Sequence, residues 1–442
     1  MSMLIRGGHL IDPAVERDGI FDVFVKDGVV AELAEWSNGI APVWQEKPDE
    51  VIDASGKYVM PGFIDLHVHL REPGFEKKET VKTGTLASAK GGVTTIMSMP
   101  NLNPCPDSLE NLNKQLEIIK KDAVVNVYPF ASITVNEEDK ELADIGTLQK
   151  YVKGITDDGR GVNNLGLLEE ACKLAKKYNL VLASHAEDNF YKTSREGEYV
   201  AVLREIEIAK RVGCKYHFCH MSVKESFDAI RKAQKEGYTN ITCEVAPHHL
   251  VMNKEMIKDA NYKMNPPLRD ENDRLETVKA LLDGTACMIA SDHAPHTEEE
   301  KSQEYDKCPN GIIGIETMIP IIYTEFVKTG LIGLDRFLDI LVYNPIKVFN
   351  LPERKMEVGQ IADLAILDIE NNEENWIKAF FGSKEQWEAI PEWKDYDLHH
   401  PSEEPTYLDH GYDESKPESE LDIEDMRQAA AFRGGKCLSE SM

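Results

Sequence analysis

Eight apolar, β-rich runs recur between residues 62 and 292, with stretches of helical periodicity between them. They are Gly62 to Leu70, Val93 to Met99, Val124 to Phe130, Val152 to Thr156, Leu180 to His185, Lys215 to His220, Asn240 to Val245 and Cys287 to Asp292. Strands alternating with helices suggest an α/β fold with a parallel sheet, and eight of them suggest closure into a (β/α)8 TIM-like barrel. An open doubly wound sheet is the structural competitor, but it would bring fewer strand ends to one point. In a barrel the active site lies at the carboxyl ends of the strands.

Those ends carry the unusual residues. The first run finishes Asp65-Leu66-His67-Val68-His69-Leu70-Arg71. Side chains two apart on a strand share a face, so the His67 and His69 rings converge. A lone His-x-His also occurs by chance on half-buried strands. Here other runs end the same way, at His185, His220 and Asp292. Four imidazoles and a carboxylate at strand ends point to a metal site.

Imidazole suits zinc and related divalent ions, and a catalytic zinc keeps an open position for water. Four histidines exceed what one such ion needs, so the expectation is a two-metal centre with a shared hydroxide. Two ions call for a bridging anion. Asp158, in Thr156-Asp157-Asp158-Gly159, is the favoured bridge, with its neighbour Asp157 expected on the opposite face. The alternative is Lys153 on the same strand, made anionic by carbon dioxide. Asp292 can bind a metal and also carry a proton from attacking water to a leaving nitrogen. The plainer reading of Asp292 is a helix cap. Arg71 presents a planar fork suited to a carboxylate, while Asn101 and His296 add polar groups at the same rim. Together they describe a pocket for a small molecule carrying a carboxylate beside an amide or imide. The loop Thr297 to Gly311 either folds over that mouth or is an ordinary solvated connection. His217 is given a packing role, and His248 and His249 a packing or supporting one. His399, His400 and His410 lie in the acidic tail.

Composition narrows the partners. The chain has 442 residues, with Asp+Glu 78 against Lys+Arg 50 for a net charge of −28. Such a surface repels phosphate backbones and anionic lipid, so neither nucleic acid nor membrane is an expected partner. No run approaches the ~20 apolar residues of a membrane span, and Met1 to Arg6 shows no signal-peptide pattern. A cytoplasmic protein is expected, with a small-molecule substrate and homo-oligomerisation left open. The eight cysteines include no Cys-x-x-Cys pair, so neither a disulfide framework nor a thiolate zinc site is indicated. Residues 1–55 read as short strands forming part of a small β-rich domain, and 56–355 as the hydrolase barrel. Residues 356–371 read as a return strand to the small domain, built on Ala362 to Asp368. Residues 372–442 form an acidic tail without strand alternation.

With these residues assembled, the chain resembles the class I dihydroorotases, cyclic amidohydrolases of the metal-dependent amidohydrolase superfamily. The carrying segments are Asp65 to Gly74, Met99-Pro100-Asn101, Thr156 to Gly159, Ser184 to Asp188, Cys219 to Ser222, Glu244 to Leu250, Met264 to Arg269 and Asp292 to His296. The similarity covers about residues 1 to 370. It implies reversible hydrolysis of L-dihydroorotate to N-carbamoyl-L-aspartate in de novo pyrimidine (UMP) biosynthesis, with two Zn2+ ions per subunit. It also implies that His67, His69, Asp158, His185, His220 and Asp292 hold the metals. Arg71, Asn101, Asn265, His296 and the Asn310-Gly311 backbone would hold the substrate. Members resembling this chain use an aspartate bridge where hydantoinases use a carboxylated lysine, which favours Asp158 over Lys153. The departure is the C-terminus, where the further strands that complete the small sheet in family members are not found in residues 372–442. The alternatives are a hydantoinase, allantoinase or dihydropyrimidinase, or a catalytically silent partner subunit.

Overall fold

The computed structural model describes residues 2–369. The acidic tail 372–442 and the last residues of the expected return segment lie outside the described residues. Five strands come first: β1 (Ser2–Asp12), β2 (Arg17–Lys26), β3 (Val29–Glu35), β4 (Glu50–Asp53) and β5 (Tyr58–Pro61). Eight more follow at the eight apolar runs: β6 (Phe63–Val68), β7 (Val93–Ser98), β8 (Asn126–Pro129), β9 (Gly154–Ile155), β10 (Val181–Ser184), β11 (Lys215–Phe218), β12 (Ile241–Val245) and β13 (Met288–Ile289). β14 (Leu364–Leu367) is the last described strand.

The N-terminal strands cannot enclose a core alone, and they recruit β14. The sheet runs β14-β5-β1-β2-β3, with β4 beside β1. β14 lies antiparallel to β5, Leu364 opposite Pro61 and Leu367 opposite Tyr58. Ile5, Leu10, Val23, Val30, Val59 and Met356 form its apolar layer. The sheet therefore continues past residue 55, through Tyr58–Pro61.

The eight remaining strands are parallel and form two arcs, β6-β7-β8 and β9-β10-β11-β12-β13. Single parallel bridges, Ala131 with Ile155 and Val68 with His293, join the arcs at both junctions. The chain is thus α/β with parallel sheets. All residues of β6 are buried, as expected for a strand covered on both faces. Burying Phe63, Ile64, Leu66 and Val68 contributes roughly 1.5–3 kcal/mol each, which offsets the cost of burying Asp65 and His67. Asp65 Oδ1 accepts from the N–H groups of His67 (3.2 Å) and Ser291 (3.0 Å), tying β6 to the segment after β13. Between the strands, Ile64, Leu66, Met97, Phe130, Met288 and Phe349 pack beneath the strand ends.

The helices follow local signals. In the helix Leu165–Tyr178, Asn164 accepts from the N–H groups of Gly166 and Leu167, and Asn179 ends the helix at φ 57°. Its buried residues, Leu168, Ala171, Cys172 and Ala175, lie three or four apart and form one face. Among the described residues no helix is long and apolar enough to cross a membrane.

The observed strands are shorter than the apolar runs at their carboxyl ends. β13 stops at Ile289, before Asp292, and β9 at Ile155, before Asp158. The apolar character continues because the turns are buried, but the backbone has left the ladder. His220 and Asp292 even adopt left-handed conformations, φ 36° and 49°, which cost non-glycine residues energy and must be held by their surroundings.

Candidate metal centre and substrate pocket

His67, the one expected ligand inside a strand, is fully buried. Its Nδ1 lies 3.0 Å from Glu244 Oε1 on β12. Since a carboxylate only accepts, Nδ1 carries the proton and the Nε2 lone pair faces the cavity. The other Glu244 oxygen is 3.1 Å from His217 Nε2, and His217 Nδ1 is 2.9 Å from Thr242 Oγ1. His217, read from sequence as packing, therefore anchors the carboxylate that orients His67. Burial opposes charge on Glu244, yet its bonds to His217 and His67 bring its pKa down to about 2.

Asp158 meets the rings in the turn after β9. Its Oδ1 is 3.3 Å from His67 Nε2, and its Oδ2 is 3.4 Å from His69 Nε2. Oδ1 is also 3.7 Å from His185 Nδ1 and 3.6 Å from His220 Nε2. Asp157 turns away and accepts from the Ile133 and Thr134 N–H groups at 2.7 and 3.1 Å. Asp292 Oδ1 stands 3.4 Å from both His67 Nε2 and His69 Nε2. Of three potential metal-binding groups among the described residues, His67–Cys219–Glu244 lies behind His67, and the other two, His67–His69–Asp158 and Asp158–His185–His220, share Asp158.

These donors suit a pair of divalent cations. Tetrahedral ligands at ~2.0–2.1 Å from a zinc stand ~3.3–3.4 Å from one another, close to the spacings around His67 and His69. His67 Nε2 and Asp158 Oδ1 are buried without a hydrogen-bond partner, a costly arrangement unless another group satisfies them. His185 Nδ1 and His220 Nε2 approach to 3.1 Å, where two lone pairs repel unless a cation or proton intervenes. The charges are mutually adapted. Burial works against ionising Asp158, but His67, His185 and His220 hold its pKa well below the usual range. Burial likewise opposes a charge on His67, while Asp158 and Asp292 raise its pKa well above normal, a pull toward positive charge at Nε2 that a cation there would equally meet. Lys153 is half-buried and precedes β9, at the opposite end of that strand from Asp158.

Above the ligands opens a cavity of about 530 Å³. Arg71, Asn101, Asn265, His296, Asn310 and Gly311 all line it, together with His69, Asp158, His185 and Asp292. Arg71 donates through Nε to the Pro295 carbonyl at 3.2 Å. Asn101 Nδ2 donates to Glu137 and, at 2.7 Å, to the Asp158 carbonyl. Asn265 Nδ2 contacts Glu187 Oε2 at 2.9 Å and His185 Nε2 at 3.1 Å. Gly311 is required by space, because a Cβ there would lie 2.2 Å from the Ala294 carbonyl oxygen.

Sequence reasoning missed Glu244, Glu137, Glu187 and Arg160. Glu244 had a readable signal, a charged residue within the buried run Ile241–Val245, where carboxylates are rare unless paired. Glu137 is buried, and that burial, reinforced by Asp157 and Asp158, pushes its pKa up to about 8. Arg160 follows the Asp158 turn and lines the cavity.

A family profile described as Dihydro-orotase-like matches residues 56–200. The dihydroorotase of Geobacillus sp. (strain WCH70) is 43% identical, across 79% of this chain and 88% of the relative. This chain belongs to the dihydroorotase family. The Bacillus pumilus dihydroorotase is 41% identical, across 87% of this chain and 93% of the relative. Among solved structures, the dihydroorotase-family fold seen here resembles L-hydantoinase from Arthrobacter aurescens, with a TM-score of 0.71 at 24% identity, covering 82% and 86% of the two chains. D-hydantoinase from Thermus sp. gives a TM-score of 0.71 at 26% identity, covering 83% of this chain and 86% of that one.

Proposed function

We propose that this family member is a working, zinc-dependent dihydroorotase of the cytoplasm. It hydrolyses the ring amide of L-dihydroorotate to N-carbamoyl-L-aspartate and closes it again, in de novo pyrimidine synthesis. The observation that carries the reading is the sharing of Asp158 by two ligand clusters at the floor of a cavity rimmed by Arg71 and His296. The fold reading goes with it: the two parallel arcs act as one closed (β/α)8 barrel of residues 62–355, supported by the bridges at both junctions. Residues 2–61 and 356–369 form the small β domain.

His67, His69, Asp158, His185, His220 and Asp292 would hold two zinc ions. Bound there, the ions supply a hydroxide nucleophile at neutral pH and polarise the amide carbonyl. Arg71 forks onto the substrate carboxylate and His296 donates to it, fixing the ring so that its amide faces Asp292. Asn101 and Asn265 border the ring. Asp292 takes the proton of the attacking water on a carboxylate oxygen and gives it to the departing ring nitrogen. Burial resists its ionisation, but His67 and His69 hold its pKa below the ordinary range, so it stands as an anion able to accept that proton.

A hydantoinase-type substrate without the carboxylate would leave the Arg71 fork unmatched, and a silent partner subunit would not need all six ligands. The test is interconversion of dihydroorotate and carbamoyl-aspartate by the full chain at measured zinc occupancy. No turnover at full occupancy, or preference for hydantoin or dihydrouracil, rejects the assignment. Asp292→Asn should lower kcat by ~10²–10⁴-fold with KM for dihydroorotate nearly unchanged, and an unchanged kcat rejects its proton role.

A further inference from the structure

His296 is surrounded by groups that leave little freedom to its proton. Its Nε2 is 2.8 Å from the Asn310 carbonyl oxygen and 3.4 Å from Arg71 Nη2. Its Nδ1 is 3.3 Å from the Lys78 ammonium and 3.1 Å from Glu300 Oε2. Lys78 is itself fixed, 3.0 Å from Glu300 Oε1 and 5.6 Å from the centre of the Phe75 ring. Glu300 Oε2 has another donor in the Thr297 N–H at 3.1 Å, within a capping box.

Each ring nitrogen therefore faces one donor and one acceptor; distance decides at Nε2, and charge decides at Nδ1, where Glu300 at 3.1 Å and Lys78 at 3.3 Å stand almost equally near. The Asn310 carbonyl can only accept, so the closest contact requires a proton on Nε2. An ammonium can only donate, so Lys78 requires a lone pair on Nδ1. An imidazolium would satisfy Glu300 but would stand against two cations, Arg71 and Lys78, with one anion to compensate. We propose that Lys78 is a positioning residue that holds His296 as the neutral Nε2–H tautomer, so that the N–H now given to Asn310 is available to the substrate carboxylate beside Arg71. The pKa of His296 agrees in direction: burial, then Arg71 and Lys78, lower it to about 4. The tautomer stands on the contacts alone, while its use on substrate rests on the dihydroorotase reading.

Without Lys78, the Glu300 carboxylate is left as the charged partner of Nδ1. The charge-assisted bond to Glu300 then outweighs the neutral one to Asn310, so the neutral ring places its proton on Nδ1 and turns the Nε2 lone pair toward the Asn310 carbonyl and the cavity, where it repels a carboxylate. Only the imidazolium, favoured as pH falls, restores the N–H. Arg71 and Glu300 remain the charged groups facing the ring. In wild type the KM for dihydroorotate carries no contribution from His296 titration near neutrality. In Lys78→Met the ratio of variant to wild-type KM should stay near one at about pH 6 and rise about tenfold by about pH 9, kcat staying within about twofold. Lys78→Arg should restore the flat ratio.

The deciding measurement is long-range 1H–15N NMR of the zinc-loaded full chain labelled at histidine, with His296 assigned by comparison with His296→Gln. The Nε2–H tautomer in wild type and Lys78→Arg, lost in Lys78→Met, is the expected result. An Nδ1–H ring or an imidazolium in wild type at neutral pH overturns the proposal. So does a Lys78→Met protein that keeps the wild-type tautomer, or one whose KM ratio is pH-independent. Should Lys78→Met fail to fold, Glu300→Gln replaces it: that variant keeps both Lys78 and Asn310, and loss of the Nε2–H tautomer in it overturns the proposal. The tautomer seen in a protein that does not turn over dihydroorotate would overturn the substrate assignment and leave the Lys78 contact standing.

Discussion

Asp22, in the N-terminal sheet, and Asp158, at the ends of the parallel strands, are both almost without solvent contact, 0% and 2% exposed. Their surroundings are opposite in kind. Asp22 Oδ1 accepts from the Gly7 N–H at 2.9 Å and the Trp36 indole at 2.6 Å, and Oδ2 from the Trp44 indole at 2.7 Å. Each oxygen has fixed donors, so the carboxylate works as a staple between strands and the following loop. Asp158 faces four imidazoles, and its Oδ1 has no hydrogen-bond partner. A satisfied buried carboxylate holds structure, whereas an unsatisfied one among lone pairs is kept for a ligand.

The sharpest way to break this contrast is at Asp158. Asp158→Ala should lower dihydroorotase activity by at least ~10³-fold and remove the shared ligand, so bound zinc should fall below two per chain. The melting temperature of the metal-stripped variant should fall less than that of Asp22→Ala, because Asp158 Oδ1 has no hydrogen-bond partner and only ionic attraction to nearby imidazoles is lost. A large drop in that temperature would show Asp158 to be structural after all.

Asp22→Ala should do the reverse. Three N–H donors lose their acceptor at ~1–3 kcal/mol each, and the half-buried indoles recover part of that from water, leaving a loss of about 3 kcal/mol in denaturant unfolding. The kcat/KM per folded, zinc-loaded molecule should be unchanged. A variant with wild-type stability and weakened catalysis would erase the distinction between the two regions.

Glu244→Gln lies between the extremes, since Glu244 is satisfied like Asp22 but touches His67, proposed as a metal ligand. It should weaken zinc binding by about 10–100-fold, read by competition with a chelator of known affinity. Unchanged affinity would mean that packing alone orients the His67 ring.

Much of this organisation was legible before any coordinates. The eight runs were visible because strands covered on both faces must be apolar throughout, and the ligands stood out as polar residues closing those runs. The alternation argument holds strictly only for His67, within Phe63–Val68. His69, Asp158, His185, His220 and Asp292 all lie beyond their ladders, where turn geometry rather than strand pleat aims the side chain. The bond from His217 to Glu244 went unread because that partner comes from the neighbouring strand, and pairing across strands leaves no local periodicity. Tyr58–Pro61 was not separated from the barrel because its membership of the small sheet depends on lying beside β1 and β14.

The sequence by itself determined the α/β alternation, the chemistry of the donors and their placement near strand ends. These follow from backbone periodicity and from the cost of burying polar groups, both encoded within a few residues. Tertiary structure alone decided that Asp158 serves two clusters and that Glu244 links His67 to His217. It also brought Lys78 to His296 across 218 residues of chain. Hydrogen bonding and Coulomb interactions at these sites depend on distances of a few ångströms between separate segments, and only the joint packing of strands, helices and loops sets those distances.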